Sequence, residues 1–176
     1  MSLTAAILGF RGDAGESFYP LDPAERLPLG AKGSYALVLR LDEPRPLRIG
    51  RLGSSVLPVG CYVYCGSALG GLRGRIERHQ RVEKRLHWHV DYLLEAARLT
   101  EVWVARTSIR LECSLAAYLL GCSEASAPVR GFGSSDCRCP SHLLHWADPR
   151  DMPRATYVTD KMLNKTYSSH TGTAFG

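Results

Sequence analysis

From Gly33 the run GSYALVLRL alternates strictly. Tyr35, Leu37, Leu39 and Leu41 take one face, and Ala36, Val38 and Arg40 the other, which predicts a strand. DEPRP breaks it, and two short extended pieces follow, LRIGRLG and SSVLPVG, separated by turn-prone Gly and Ser. CYVYCG predicts a second strand, with Tyr62 and Tyr64 opposite Cys61, Val63 and Cys65. The glycine-rich turn GSALGG then leads into a helix expected over residues 70–85. A second helix is expected over 88–97, where Val90, Leu93, Leu94 and Ala97 fall at i, i+3, i+4 and i+7. TEVWVAR predicts a third strand, with Trp103 facing away from Val102 and Val104. A third helix, over 109–121 behind a Ser108 cap, stacks Leu111, Leu115 and Leu119. PVRGFGSSDCRCPSHLLHW closes the pattern.

This order, β-(hairpin)-β-α-α-β-α, predicts an α+β fold: a small, mostly antiparallel sheet of three core strands plus a hairpin, flanked by helices. One domain is expected over 31–146. It follows an N-terminal extension (1–30) and precedes a C-terminal tail (147–176) whose KTYSSHTGTAFG ending reads as disordered. Composition agrees with a globular chain: 176 residues, 45% hydrophobic and 22% charged. No apolar run approaches the roughly 20 residues that span a bilayer, so no membrane partner is expected. The N-terminus lacks the basic segment of a secretory signal, and a cytoplasmic setting is the expectation. In that setting the six cysteines do not read as a disulfide framework; Cys61, Cys65, Cys113 and Cys122 read as small core residues.

Charge changes the picture at the first helix. Net charge is +5, and residues 73–85 alone hold six cations against Glu77 and Glu83. Leu72 and Ile76 mark its buried stripe, with His79 beside them and Arg75 on the same edge. A guanidinium placed there needs an anion or several acceptors. Arg73, Arg78, Arg81, Lys84 and Arg85 fall on the outer side, as a solvated face or a phosphate-binding one. Glu112 sits close to the apolar stripe of the third helix, as a dipole-favoured first-turn acid or as a metal ligand. GSALGG is a weak candidate for a phosphate-binding turn. In His87-Trp88-His89-Val90-Asp91, His89 and Asp91 flank the core stripe, where they reach substrate or pair structurally; Trp88 and Tyr92 stack on a base or pack. Cys137, Cys139 and His142 are the right atoms for zinc, with His145 or another cysteine as a fourth ligand. The alternative is a tight loop in which Asp136 caps a turn.

These residues carry a resemblance. Gly33-Ser34-Tyr35 and Tyr64-Cys65-Gly66 resemble the GIY and YIG elements of the GIY-YIG nuclease superfamily. Arg75, His79 and Glu112 follow in the superfamily's order. The strings YCGSALGGLRGRIERH, HWHVDYLL and GFGSSDCRCPSHL resemble one branch closely, the DUF123 or Uri-type family, which occurs alone or fused to DNA-repair glycosylases of the endonuclease III type. The resemblance spans residues 31–146. The GIY-to-YIG spacing is longer than in most of the superfamily, and the late Asn of many members has no counterpart.

The resemblance implies a metal-dependent endonuclease acting on DNA, with base-excision repair proteins as associates. It implies that Glu112 holds a divalent metal, Mg²⁺ or Mn²⁺, and that Arg75 stabilises phosphoryl charge. Tyr35 and Tyr64 would orient or deprotonate the attacking water, and His79 would relay the proton or act as the base itself. Arg73, Arg78, Arg81, Lys84, Arg85 and His89 would contact DNA. Tyr35, Tyr64, Arg75 and Glu112 are then expected on one concave surface, with Glu112 on the same side of the sheet as Tyr35. A second reading is a catalytically silent module that binds nucleic acid through helix 73–85.

Overall fold

The computed structural model describes residues 18–23 and 25–155. Its main sheet has five strands, all antiparallel, in the order β1-β6-β2-β5-β7. The three central strands are those expected from the alternation: β2 (Gly33–Leu41), β5 (Gly60–Ala68) and β6 (Arg98–Arg106). A short β1 (Tyr19–Pro20), drawn from the segment read as an extension, and β7 (Leu143–Trp146) form the edges. β3 (Arg45–Arg48) and β4 (Ser54–Leu57) pair as the expected hairpin, in a separate two-stranded sheet.

Strand alternation divides the interior into two cores, one on each face of the sheet. Tyr35, Leu37, Leu39, Tyr62, Tyr64, Val102 and Val104 pack with α1 (Leu72–Gln80), α2 (His89–Leu94) and the hairpin. Ala36, Val38, Val63, Cys65, Trp103 and Ala105 pack with α3 (Glu112–Leu120) and β7. Burying both faces of β2 and β5 accounts for their near-continuous apolar sequence. Ala155 also lies buried in the second core, with Met152 packed against it. Among the described residues no helix is long and apolar enough to cross a membrane. The remainder of the expected disordered tail, 156–176, lies outside the described residues.

All three helices are shorter than the apolar periodicity predicts. α1 stops at Gln80 and not at 85, because Arg81 turns extended and the Lys84 ammonium caps the His79 carbonyl at 2.6 Å. α2 stops at Leu94 because β6 starts at Arg98, two residues earlier than expected, where pairing with Arg40 captures the chain. α3 starts at Glu112, so Ser108 does not cap it. Instead the Leu111 N–H donates to the buried Ser34 hydroxyl on β2, at 2.8 Å. A side chain far away in sequence thus supplies the acceptor.

Candidate active site

β5 carries β2 along one edge for its whole length, but β7 covers its other edge only from Cys61 to Tyr64. Beyond that point a cleft of about 810 Å³ opens along the uncovered edge. Tyr35, Tyr64, Arg75 and Glu112 all line it.

Tyr35 and Tyr64 come from neighbouring strands on the same face. Tyr35 stands opposite Gly66 and Tyr64 opposite Leu37, with ring centroids 6.4 Å apart. Gly66 is required by this arrangement: a Cβ there would lie 2.5 Å from Tyr35 Cζ, well inside van der Waals contact. Gly133, at φ +71°, does the same for Tyr64, since its Cβ would come within 2.7 Å of Tyr64 Cε2. Burial pushes the Tyr35 phenol up to about 12, against the smaller downward pull of the Arg75 guanidinium. Burial also raises Tyr64 well above its ordinary value.

His79 lies behind Tyr35, outside the cleft lining, with its Nε2 2.9 Å from the Tyr35 hydroxyl. Burial lowers the imidazole to about 4, a cost that nearby Asp91 only partly offsets, so the ring is neutral at pH 7. The second ring nitrogen, Nδ1, is 3.8 Å from Asp91 Oδ1. That separation is too long for a hydrogen bond and Nδ1 has no other partner, so with Nε2 accepting from Tyr35 O–H the Nδ1 proton would face Asp91 only at a distance. Tyr35, His79 and Asp91 therefore form one line running from the cleft into the core.

Asp91 was expected either to reach substrate or to pair structurally, and it pairs. Its carboxylate is completely buried and takes a two-pronged contact from Arg78, at 3.0 and 2.9 Å. It also accepts the backbone N–H groups of His87 (2.9 Å) and Trp88 (3.0 Å). Burial alone would raise its pKa, but the Arg78 and backbone hydrogen bonds outweigh that and hold it at about 2. Two cations expected on the outer face are thereby redirected. Arg78 is turned inward by Asp91, and the Lys84 ammonium lies 3.9 Å from the same carboxylate. The α1 pattern could not show this, because the acid that attracts them comes from α2. Arg73 pairs with Glu77 at 2.8 Å, while Arg81 and Arg85 remain exposed.

Arg75 and Arg78 each stack on the Trp88 ring, 4.1 Å from its centroid, and the indole also lines the cleft. Arg75 also reaches the Ser67 carbonyl on the open β5 edge at 3.5 Å. His89 lines the cleft, and its Nδ1 accepts the Gly133 N–H at 2.9 Å.

Glu112 reaches the cleft by another route. α3 packs on the face opposite Tyr35, which corrects the expectation that the two share a side. The helix begins where the β5 edge is uncovered, and from there its first residue joins the cleft lining. The Ser67 hydroxyl donates to Glu112 Oε2, and Ser34 Oγ is 2.7 Å from Ser67 Oγ. Since the Ser67 proton goes to the carboxylate, Ser34 donates to Ser67 and accepts from Leu111 N–H. A directional chain of hydroxyls thus orients the acid. Sequence reasoning missed Ser34 and Ser67, although a Ser inside an otherwise apolar strand is the available signal. It also missed Arg51 and Arg110, which place two further guanidinium groups at the cleft.

The GSALGG turn has another use than the one considered. The first N–H of α1, at Leu72, donates to the Ala31 carbonyl at 2.7 Å, which ties the helix to the chain before β2.

Beside Glu112 lies a second cluster. Cys113, Cys137, Cys139 and His142 hold their potential ligand atoms within 4.8 Å of one another. Cys113, expected in the core, is thus part of this group and only half-buried. His145 is elsewhere: its Nε2 is 3.0 Å from the Val59 carbonyl, and its ring packs on Tyr62. Asp136 faces Arg110 at 3.5 Å.

An α+β domain with Glu112, Arg75, Tyr35 and Tyr64 around the free edge of a sheet is the class that fold and cleft define. The chain belongs to the family described as Domain of unknown function DUF123, whose model matches residues 34–164. No curated protein and no solved structure matches it.

Proposed function

We propose that this DUF123 protein is a metal-dependent endonuclease that hydrolyses phosphodiester bonds in DNA through a GIY-YIG-type site. The observation that carries the reading is the convergence of Glu112, Arg75, Tyr35 and Tyr64 on one cleft from four separate segments of the chain. Packing alone gives no reason to bring an acid, a guanidinium and two phenols to an open edge. Arg51 extends the cationic lining along which a phosphate backbone would lie, while Arg110, also in the lining, is paired with Asp136.

The Glu112 carboxylate suits Mg²⁺, which binds through one or two carboxylates together with waters and substrate phosphates, while Asp136, the other acid of the lining, is paired with Arg110. Ser67 fixes the acid as outer-sphere partners of metal-binding carboxylates do. When bound, the cation supplies positive charge to the phosphoryl oxygens and the leaving group. Arg75 reaches the same oxygens from the α1 side, held in place by Trp88.

Between Tyr35 and His79 the sequence left the base open, and the geometry favours the pair acting together. A phenol near 12 and an imidazole near 4 are each a poor base alone at neutral pH. The 2.9 Å contact joins them. The Tyr35 oxygen would orient the water and His79 would hold the Tyr35 hydroxyl, and because neither group is basic enough to ionise a free water, a bound cation would have to supply that acidity.

The silent-module reading loses support because Arg78 and Lys84 are engaged with Asp91, leaving the basic helix few free cations. The experiment is a cleavage assay on single-stranded, duplex and branched DNA with Mg²⁺ or Mn²⁺. The expected result is metal-dependent cleavage by the wild type and none by Glu112→Gln at unchanged DNA affinity. Binding without cleavage of any form would favour the silent module.

A further inference from the structure

We propose that Cys113, Cys137, Cys139 and His142 form a Cys₃His site for one structural Zn²⁺. The ion would tie the connection between α3 and β7 to the first turn of α3. The proposal stands apart from the nuclease reading and is independent of any DNA chemistry.

Distances carry the argument. A tetrahedral zinc with Zn–S of about 2.3 Å and Zn–N of about 2.0–2.1 Å separates a sulfur from a nitrogen ligand by about 3.5 Å. Here His142 Nε2 lies 3.6 Å from Cys113 Sγ and 3.4 Å from Cys137 Sγ. All four donor atoms fall within 4.8 Å of one another. Three thiols and an imidazole suit a borderline-soft ion and not Mg²⁺, so this site and the one at Glu112 would not compete for a metal. Four protein ligands close the coordination sphere, as structural zinc sites do.

Three of the ligands lie in one long connection and the fourth at the start of α3. Residues 121–142 join α3 to β7 with no named helix or strand among them. Connections longer than about 12–15 residues are uncommon in compact domains unless something holds them. Two ligands, Cys137 and Cys139, lie in this connection. His142, at its end, is anchored by backbone bonds from its own N–H to the Phe132 carbonyl (2.7 Å) and from Cys65 N–H to its carbonyl (2.9 Å). Cys113 is the residue after Glu112, so an ion bound here would also hold the backbone that presents the acid to the cleft. No disulfide joins the cysteines of the described residues.

The test uses the full chain, purified under reducing conditions without added metal and without a polyhistidine tag. Elemental analysis should find one zinc per chain. Replacement by Co²⁺ should give the visible d–d and sulfur-to-cobalt charge-transfer bands of a tetrahedral thiolate site. Cys139→Ser and Cys113→Ser should lose the ion, while Cys61→Ser, buried elsewhere, should keep it. If the ligand variants do not fold, the wild type still decides. A zinc chelator in Mg²⁺-free buffer should lower its melting temperature, and added Zn²⁺ should restore it. A chain that carries no zinc, gives no tetrahedral cobalt bands and melts unchanged with chelator would overturn the proposal. So would a disulfide among these cysteines found by mass spectrometry of the freshly reduced and then air-exposed chain, if Zn²⁺ fails to prevent it.

Discussion

Tyr35 packs on one face of the sheet and Glu112 heads a helix packed on the other, yet both line one cleft at the uncovered edge of β5. The edge is open because β7 stops pairing at Tyr64. A longer β7 would extend the sheet over that edge. The site therefore depends on where pairing ends as much as on which residues are present.

If Ser67 orients Glu112, removing its hydroxyl should cost catalysis without costing DNA binding. Ser67→Ala is expected to lower cleavage about 10- to 100-fold, or to raise the Mg²⁺ concentration required by a similar factor, the usual scale for an outer-sphere partner. A metal titration of the cleavage rate checks this. A rate and metal dependence equal to the wild type would remove Ser67 from the site.

Breaking the pair inside the core should act on stability. Arg78→Ala leaves the Asp91 carboxylate buried without its main partner, and is expected to cost about 3–5 kcal/mol in a urea melt. Exposed Arg81→Ala should stay within about 0.5 kcal/mol of the wild type. Equal effects would mean that Arg78 is the solvated residue its helix position suggests.

Acid should expose His79. Its folded value of about 4 is depressed from the ordinary 6.5, so between these values the unfolded chain takes up a proton that the native state refuses. Stability is then fully present above pH 6.5 and falls as pH drops toward 4, by on the order of 3 kcal/mol. Asp91, depressed to about 2 from 3.8, adds a further loss below pH 3.8. Lys84, Arg75 and Arg78 are the cations around His79. Urea melts from pH 7 to 4 should show a slope that is steeper in the wild type than in His79→Gln, where His89 and His142, also depressed by burial, remain.

Salt dependence should locate the DNA path. If the cleft carries the backbone, Arg51→Ala with Arg110→Ala should flatten the salt slope of binding by up to about two counterions, and Arg81→Ala with Arg85→Ala should do less. The reverse order would place DNA on the outer side of α1 and its following segment.

Gly66→Ala tests the tyrosine geometry. A methyl 2.5 Å from Tyr35 Cζ forces the ring aside and should break its contact with His79, with cleavage falling together with stability. A crystal structure of the variant with Tyr35 unmoved would contradict this.

Much of the fold was legible because strand alternation is a local signal. The faces of β2, β5 and β6 follow the sequence residue by residue, with Tyr35 and Tyr64 on one side and Ala36 and Cys65 on the other. The resemblance also named four residues that share the cleft. Helix ends were less legible, since Lys84 caps α1 and Ser34 precedes α3 through contacts that no helical periodicity encodes.

By itself, then, the sequence determined the α+β class, the two-faced strands and the family, and singled out Glu112, Arg75, Tyr35 and Tyr64, which the structure brings to one cleft. Only the tertiary structure decided which charges are spent. Arg78 and Lys84 look solvated on their own segment and are drawn to Asp91 from α2; Cys113 looks like core and joins Cys137, Cys139 and His142; Glu112 crosses from the far face through an open edge. Each outcome rests on a partner distant in the chain, because burying a charge or orienting a ligand requires compensation that neighbours in sequence do not supply.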